Sequence, residues 1–255
     1  MRKEENMFNF SLDKRTITII LVVMLGLWLA SNGTAGILNL LLTIPGVLIA
    51  ITFHEFAHAW MAVKLGDNTP KLQGRLSLNP FDHMDPIGFV FLIVAGFGWG
   101  KPVEIDSRNF NGKYSLSKAE AIVAAVGPIM NFILAFIFMI VYYVVFVATN
   151  ALGALTLQWQ QVIYYIVVYT ISINIGLGVF NLIPLPPLDG SKILMHFLPA
   201  KGKEWFYNNQ QIFYIIFLLI WITGLSSVFL QPIFGAVFSG MDWLVAKLFK
   251  LLSLI

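Results

Sequence analysis

His54 and His58 stand four residues apart in the run Phe53-His54-Glu55-Phe56-Ala57-His58-Ala59. On a helix that spacing puts both imidazoles on one face. Two imidazoles so placed hold one zinc ion, and Glu55 between them stands where it can take a proton from an attacking water. The surroundings sharpen the reading, because the run from Ile37 to Leu65 is otherwise almost wholly apolar. Ionisable groups within an apolar helix are costly, so a functional site is the default expectation. The alternative is a polar cluster that glues helices together, which has no need of this spacing.

A catalytic zinc site takes three protein ligands and keeps a further position open. The chain has no cysteine, so a thiolate is excluded. The remaining histidines, His83 and His196, fall in loops. Asp189 is the better candidate, at the end of Phe180-Asn181-Leu182-Ile183-Pro184-Leu185-Pro186-Pro187-Leu188-Asp189-Gly190. The prolines force the backbone out of regular helix, and such a break is tolerated at membrane depth where it lines a polar cavity. A plain helix terminus followed by a turn is the competing reading. Depth favours the ligand: at ~1.5 Å rise per residue the histidines lie on the order of 10 Å from the Lys64 end of their helix. Asp189 falls at the corresponding end of its own.

The elements that carry these residues follow from composition. Of 255 residues, 58% are hydrophobic and 11% charged, against about a quarter charged in soluble domains. The expected fold is an all-α polytopic membrane protein forming a single membrane-embedded domain over residues 1–255. About six transmembrane helices are expected, near Ile17–Ala30, Ile37–Leu65, Lys118–Thr149, Gln160–Phe180, Trp205–Thr223 and Val228–Leu248. The first is read as a retained span rather than a signal peptide. Ile87–Trp99 is too short to cross and glycine-rich, which suggests a re-entrant or interfacial segment after the second span. With this model all 16 Lys and Arg residues fall on one side. The positive-inside rule then places both termini in the cytoplasm of a multi-pass cell-membrane protein. The net charge of +3 reflects this topology and gives no indication of nucleic acid.

Together these motifs resemble the site-2 protease family of intramembrane zinc metalloproteases, in its compact bacterial and archaeal form without an inserted PDZ or appended CBS domain. His54, Glu55, His58 and Asp189 match that family's His-Glu-x-x-His and Leu-Asp-Gly elements, and Asn181 its preceding asparagine. Gly127-Pro128-Ile129-Met130-Asn131 matches its Gly-Pro-x-x-Asn on an intervening helix. Gly74-Arg75-Leu76-Ser77-Leu78-Asn79-Pro80 and Trp99-Gly100-Lys101-Pro102-Val103 match the compact subgroup. The resemblance covers about residues 37–198.

The resemblance implies hydrolysis of peptide bonds within or next to transmembrane segments of membrane-protein substrates. One zinc per chain is expected on His54, His58 and Asp189, with Glu55 as general base. Asn181 and Asn131 are expected to orient the substrate backbone or support the oxyanion, interhelical bonding being the alternative for Asn131. Asn174 reads as helix glue, His83 as a solvated loop residue or a support for the site, and Asp242 as a side chain reaching for the interface. Ile87–Ile105 is a candidate edge for pairing with an unwound substrate strand. The rival classes are a catalytically inactive membrane-binding homologue and a metal transporter. A transporter would be expected to show internal repeats and sites near the midplane.

Overall fold

The computed structural model describes residues 14–95, 100–152 and 156–254. Its helices are α1 Lys14–Lys64, α2 Thr69–Leu72, α3 Pro80–His83, α4 Pro86–Ala95, α5 Leu116–Leu152, α6 Leu157–Asn181, α7 Asp189–Phe197, α8 Ala200–Asn208, α9 Gln210–Ile222 and α10 Leu225–Leu251. The all-helical expectation holds. Among the described residues, 4 helical stretches are long and apolar enough to cross a membrane: Leu25–Lys64, Leu116–Phe146, Leu157–Asn181 and Leu225–Leu251. The count of about six spans is therefore not confirmed. The first two expected spans fall in the one element α1, interrupted only at Gly33 (φ 58°, ψ −156°), a conformation that only glycine adopts freely. The fifth expected span falls on α9, whose 13 residues reach about 20 Å against a hydrocarbon core of about 30 Å.

The described residues pack as two compact units, one from residues 14–40 and 85–95, the other from residues 41–84 and the described residues from 100 onward. In the first, Asp85 caps α4 by accepting from the backbone amides of Ile87 and Gly88 at 2.9 and 2.8 Å. At 10 residues, α4 is too short to cross the bilayer. Its helical backbone also removes residues 87–95 from the candidate strand edge Ile87–Ile105, and residues 96–99 lie outside the described residues.

The second unit is built on α5 and α6, which run antiparallel. Ala135 and Met139 of α5 pack against Val167, Ile171, Ile175 and Val179 of α6, with Val245 and Phe249 of α10 closing the cluster. Lipid is as apolar as these side chains, so tight packing and interhelical hydrogen bonds, rather than escape from water, hold such a bundle. The outward faces remain apolar for the same reason: Ile133, Ile137 and Val144 of α5 and Val228, Phe229 and Ile233 of α10 are all exposed. Within this unit Met84 and Gly100 form an antiparallel bridge, so the chain re-enters beside the residue from which it left.

The direction of α10 differs from expectation. Phe180, at the Asn181 end of α6, packs its ring against Phe217 and Trp221 of α9, centroids 6.0 and 5.3 Å away. The α9–α10 turn therefore lies at that end of the bundle. Far along α5, Tyr143 donates a hydrogen bond to Asp242 (2.8 Å) and packs against Phe249 with centroids 5.2 Å apart. Leu230 and Phe234 also pack on the central cluster. Thus α10 runs parallel to α5, and Lys247 and Lys250 lie at the opposite end of the bundle from Lys118. The expected sorting of every basic residue to one side is not confirmed for these two. Counting each apolar run as a full crossing is what placed them there. Asp242 is also an interhelical acceptor, from Tyr143.

Candidate metal centre

His54 and His58 project from the second half of α1 with their side chains 6% and 9% exposed, and Asp189, the first residue of α7, is 15% exposed. Asp189 Oδ2 lies 3.2 Å from Nε2 of His54 and 3.2 Å from Nε2 of His58, and the two Nε2 atoms are 3.1 Å apart. The three sequence-predicted ligands therefore meet at one point.

The other ring nitrogens fix what those atoms can be. His58 Nδ1 lies 2.7 Å from the carbonyl oxygen of Val123. A carbonyl can only accept, so Nδ1 carries the proton and Nε2 presents its lone pair. His54 Nδ1 lies 2.6 Å from Asn131 Oδ1. The Asn131 amide nitrogen is already donating to Ala50 O and Asn174 Oδ1, both at 3.0 Å, so Oδ1 accepts here too. Two lone pairs and a carboxylate oxygen thus converge with no donor among them, an arrangement that a cation relieves. Tetrahedral zinc with bonds of about 2.0–2.1 Å needs ligand atoms separated by about 3.3 Å, close to the observed triangle. The residues present therefore fit the metal.

The sequence around each ligand explains the convergence. A Cβ on Gly127 would lie 2.4 Å from His58 Nε2 and 2.8 Å from His54 Cε1, so only glycine lets both rings lie against α5. Pro128, within α5, has no amide proton and crowds the preceding turn, the turn from which the Val123 carbonyl reaches His58. Asn131 completes the Gly-Pro-x-x-Asn run as the group that orients His54. On the other side, a Cβ on Gly190 would lie 2.3 and 2.4 Å from the carbonyl oxygens of Leu182 and Ile183. Glycine there lets the proline-rich turn fold onto the start of α7. The N-terminus of α7 also favours a carboxylate at Asp189.

Glu55 sits between the ligands in sequence and accepts a hydrogen bond at Oε2 from the backbone amide of Val103 (3.0 Å). Asn181 donates to Leu177 O at 3.0 Å, within its own helix rather than toward the three converging residues. Asn174 is fully buried, donates to Thr170 O within α6 at 2.8 Å and accepts from Asn131 of α5 at 3.0 Å. It is interhelical glue as expected, and also the support behind Asn131. The solvated reading of His83 is wrong: the residue is 0% exposed, with Nε2 2.7 Å from Ser77 O. Its charged loop neighbours suggested water, but the bridge at Met84 draws the loop inward. The role of Val103 was invisible in sequence, because a backbone donor leaves no mark on residue type.

Known proteins share this chain's sequence over most of its length. The family model for peptidase family M50 matches residues 42–223. The chain is 38% identical over 191 residues to "Putative zinc metalloprotease YwhC" of Bacillus subtilis, covering 74% of this chain and 84% of that one. It is 26% identical to "Putative zinc metalloprotease Rip2" of Mycolicibacterium smegmatis, over 76% of this chain and 72% of that one. With "Putative zinc metalloprotease MJ0611" of Methanocaldococcus jannaschii the identity is 24%, over 74% and 87%. No solved structure matches. A helix bundle that closes two histidines and an aspartate on one point, and a family match across most of the chain, agree: the chain belongs to peptidase family M50, the site-2 protease family of zinc metalloproteases.

Proposed function

We propose that this chain hydrolyses peptide bonds within or next to transmembrane segments of membrane-protein substrates, from one membrane-embedded catalytic domain binding one zinc. The observation that carries the reading is position. The His54, His58 and Asp189 donor atoms converge between α1, α5 and α7, and α1 and α5 are long and apolar enough to span a bilayer. Soluble peptides have no ready route there, whereas membrane-embedded ones do.

His54, His58 and Asp189 would hold the zinc, which when bound supplies Lewis acidity to the scissile carbonyl and to water. Glu55 takes the proton of the attacking water and returns it to the leaving amine. Its bond from Val103 N orients the carboxylate for that transfer. Asn131 acts through His54, holding the ring so that Nε2 faces inward. Its amide protons are committed to Ala50 and Asn174, which leaves Asn181 as the asparagine proposed to meet substrate backbone.

For sidedness, the seven basic residues from Lys64 to Lys118 put that stretch in the cytoplasm by the positive-inside rule, and the basic N-terminal residues lie there too. Because α10 runs parallel to α5, the Lys250 end of α10 is proposed to lie on the outer side.

Glu55→Gln tests the reading, since it preserves shape and removes basicity. Zinc per chain should match the parent, while cleavage of membrane substrates falls at least ~10²-fold. Membrane proteomes of cells carrying parent and variant should differ in accumulated full-length substrates. Cleavage at the parental rate would overturn the role of Glu55, and zinc absent from the purified parent would overturn the metal assignment.

A further inference from the structure

Arg75 is buried, 4% exposed, yet among the described residues no carboxylate pairs with it. Its Nη2 donates to the carbonyl oxygen of Lys101, while among the described residues Nε and Nη1 have no partner. An unpaired buried guanidinium is a poor structural fastener, because desolvating it is costly. Its place suggests why it is there. The other side of the same residue is held as well: Lys101 N donates to His83 O at 2.8 Å, and His83 is itself fixed to Ser77 O. Lys101 is thus gripped at both its amide and its carbonyl by the loop carrying Arg75, Ser77 and His83.

That grip bears on Glu55. A Cβ on Gly100 would lie 2.8 Å from Ile51 Cγ2, 2.9 Å from His83 O and 3.9 Å from Glu55 Cγ. The backbone at Gly100 therefore presses directly on the face of α1 that carries the base. Three residues on, Val103 N donates to Glu55 Oε2. Pro102, between the clamp and the donor, restricts the backbone and has no amide proton of its own, so it transmits position without competing for the carboxylate. From this chain of contacts we infer that Arg75 is a positioning residue for catalysis, holding the Gly100–Val103 backbone so that the Val103 amide keeps the Glu55 carboxylate in its working orientation. The inference rests on the proposed role of Glu55 as base.

The test uses full-length, zinc-loaded protein in liposomes with a fluorogenic single-span peptide as substrate. Arg75→Gln should lower kcat by on the order of 10-fold or more, the scale that misplacement of a reacting group produces, with KM, zinc content and melting temperature near the parental values. Arg75→Lys should recover part of the rate, since a point charge reaches one carbonyl without the planar fork. Val103→Pro, which deletes the amide donor itself, should give a loss like that of Arg75→Gln. The double variant Glu55→Gln/Arg75→Gln should be no slower than Glu55→Gln alone, within about twofold, because residues acting as one unit are not additive. Parental kcat in Arg75→Gln, multiplying losses in the double variant, or zinc content and melting temperature falling along with kcat would each overturn the inference. Glu55→Gln at the parental rate would remove the underlying reading and this one with it, whereas an inactive Glu55→Gln beside a fully active Arg75→Gln would sink this one alone.

Discussion

At the scale of single residues, the metal centre is a problem of orientation. Each imidazole has two nitrogens, and only a fixed partner on Nδ1 commits Nε2 to the metal. His58 obtains that partner from backbone, the Val123 carbonyl, which mutation cannot easily remove. His54 depends on the Asn131 side chain, so its commitment can be tested. Asn131→Ala leaves the His54 Nδ1 proton without its acceptor. Zinc affinity, measured by competition with a chelator, should weaken by about 10–100-fold, as expected for loss of such a supporting contact. Asn174→Ala removes only the support of the support and should weaken affinity less. Equal loss from the two would mean that the network stabilises the bundle as a whole rather than aiming His54.

At the scale of elements, the same residues show what the sequence discloses and what it withholds. His54, Glu55 and His58 were legible because a helix turns a spacing of four into a shared face. Asp189 was legible because clustered prolines advertise a broken helix. Gly127 and Pro128 could be recognised as a pattern, but their reason lies in a 2.4 Å approach between α5 and His58, which no single-chain periodicity encodes. The end of α1 is a second such case. Asp67, just past Lys64, is 0% exposed. It accepts from Thr69 N (3.0 Å), the Thr69 hydroxyl (2.5 Å), the Asn109 amide (3.1 Å) and Asp106 N (2.8 Å), so it ties α1 to the loop before α5. Burial pushes its carboxyl up, but those hydrogen bonds outweigh burial and hold it below the usual carboxylate range. A depressed folded-state pKa contributes stability that is complete above the unfolded value of about 4 and is lost as pH falls through the folded one. Asp67→Asn should therefore lower the melting temperature most at neutral pH, and the gap from the parent should narrow on acidification below about 4. A gap that stays constant down to strongly acid pH would show that the ionised form is not what holds the turn.

At the scale of the whole molecule, charge sorting and packing disagree about where the chain ends up. Sorting takes Trp205–Thr223 and Val228–Leu248 as two crossings and returns Lys247 and Lys250 to the side of Lys118. Packing shows α9 ending against Phe180 and α10 climbing beside α5 to Tyr143. Sequence could not reveal this, because hydropathy measures how apolar a stretch is and not where its neighbours lie. The far end has its own logic. Tyr142, Tyr143, Tyr164 and Tyr165 gather there with ring centroids 5.5–5.8 Å apart between neighbours, and Lys247 lies 4.9 Å over the Trp243 ring. Clustered tyrosine and tryptophan with a basic residue is the composition of a membrane–water interface. Two lysines are also a weak topological signal against the larger basic group around Lys113. The chain has no cysteine, so introduced ones report cleanly. Lys250→Cys should react with an impermeant thiol reagent applied to the outside of intact cells, as should Asn150→Cys in the last turn of α5, whereas Lys113→Cys should react only after permeabilisation. Because Asp242 and Tyr143 pin α10 at this level, adding Tyr143→Phe to the Lys250→Cys protein should loosen the helix and increase its proteolysis without changing the side from which the thiol is labelled. Protection of Lys250→Cys together with Lys113→Cys in intact cells would restore the charge-sorted topology and show that α10 crosses in the opposite sense.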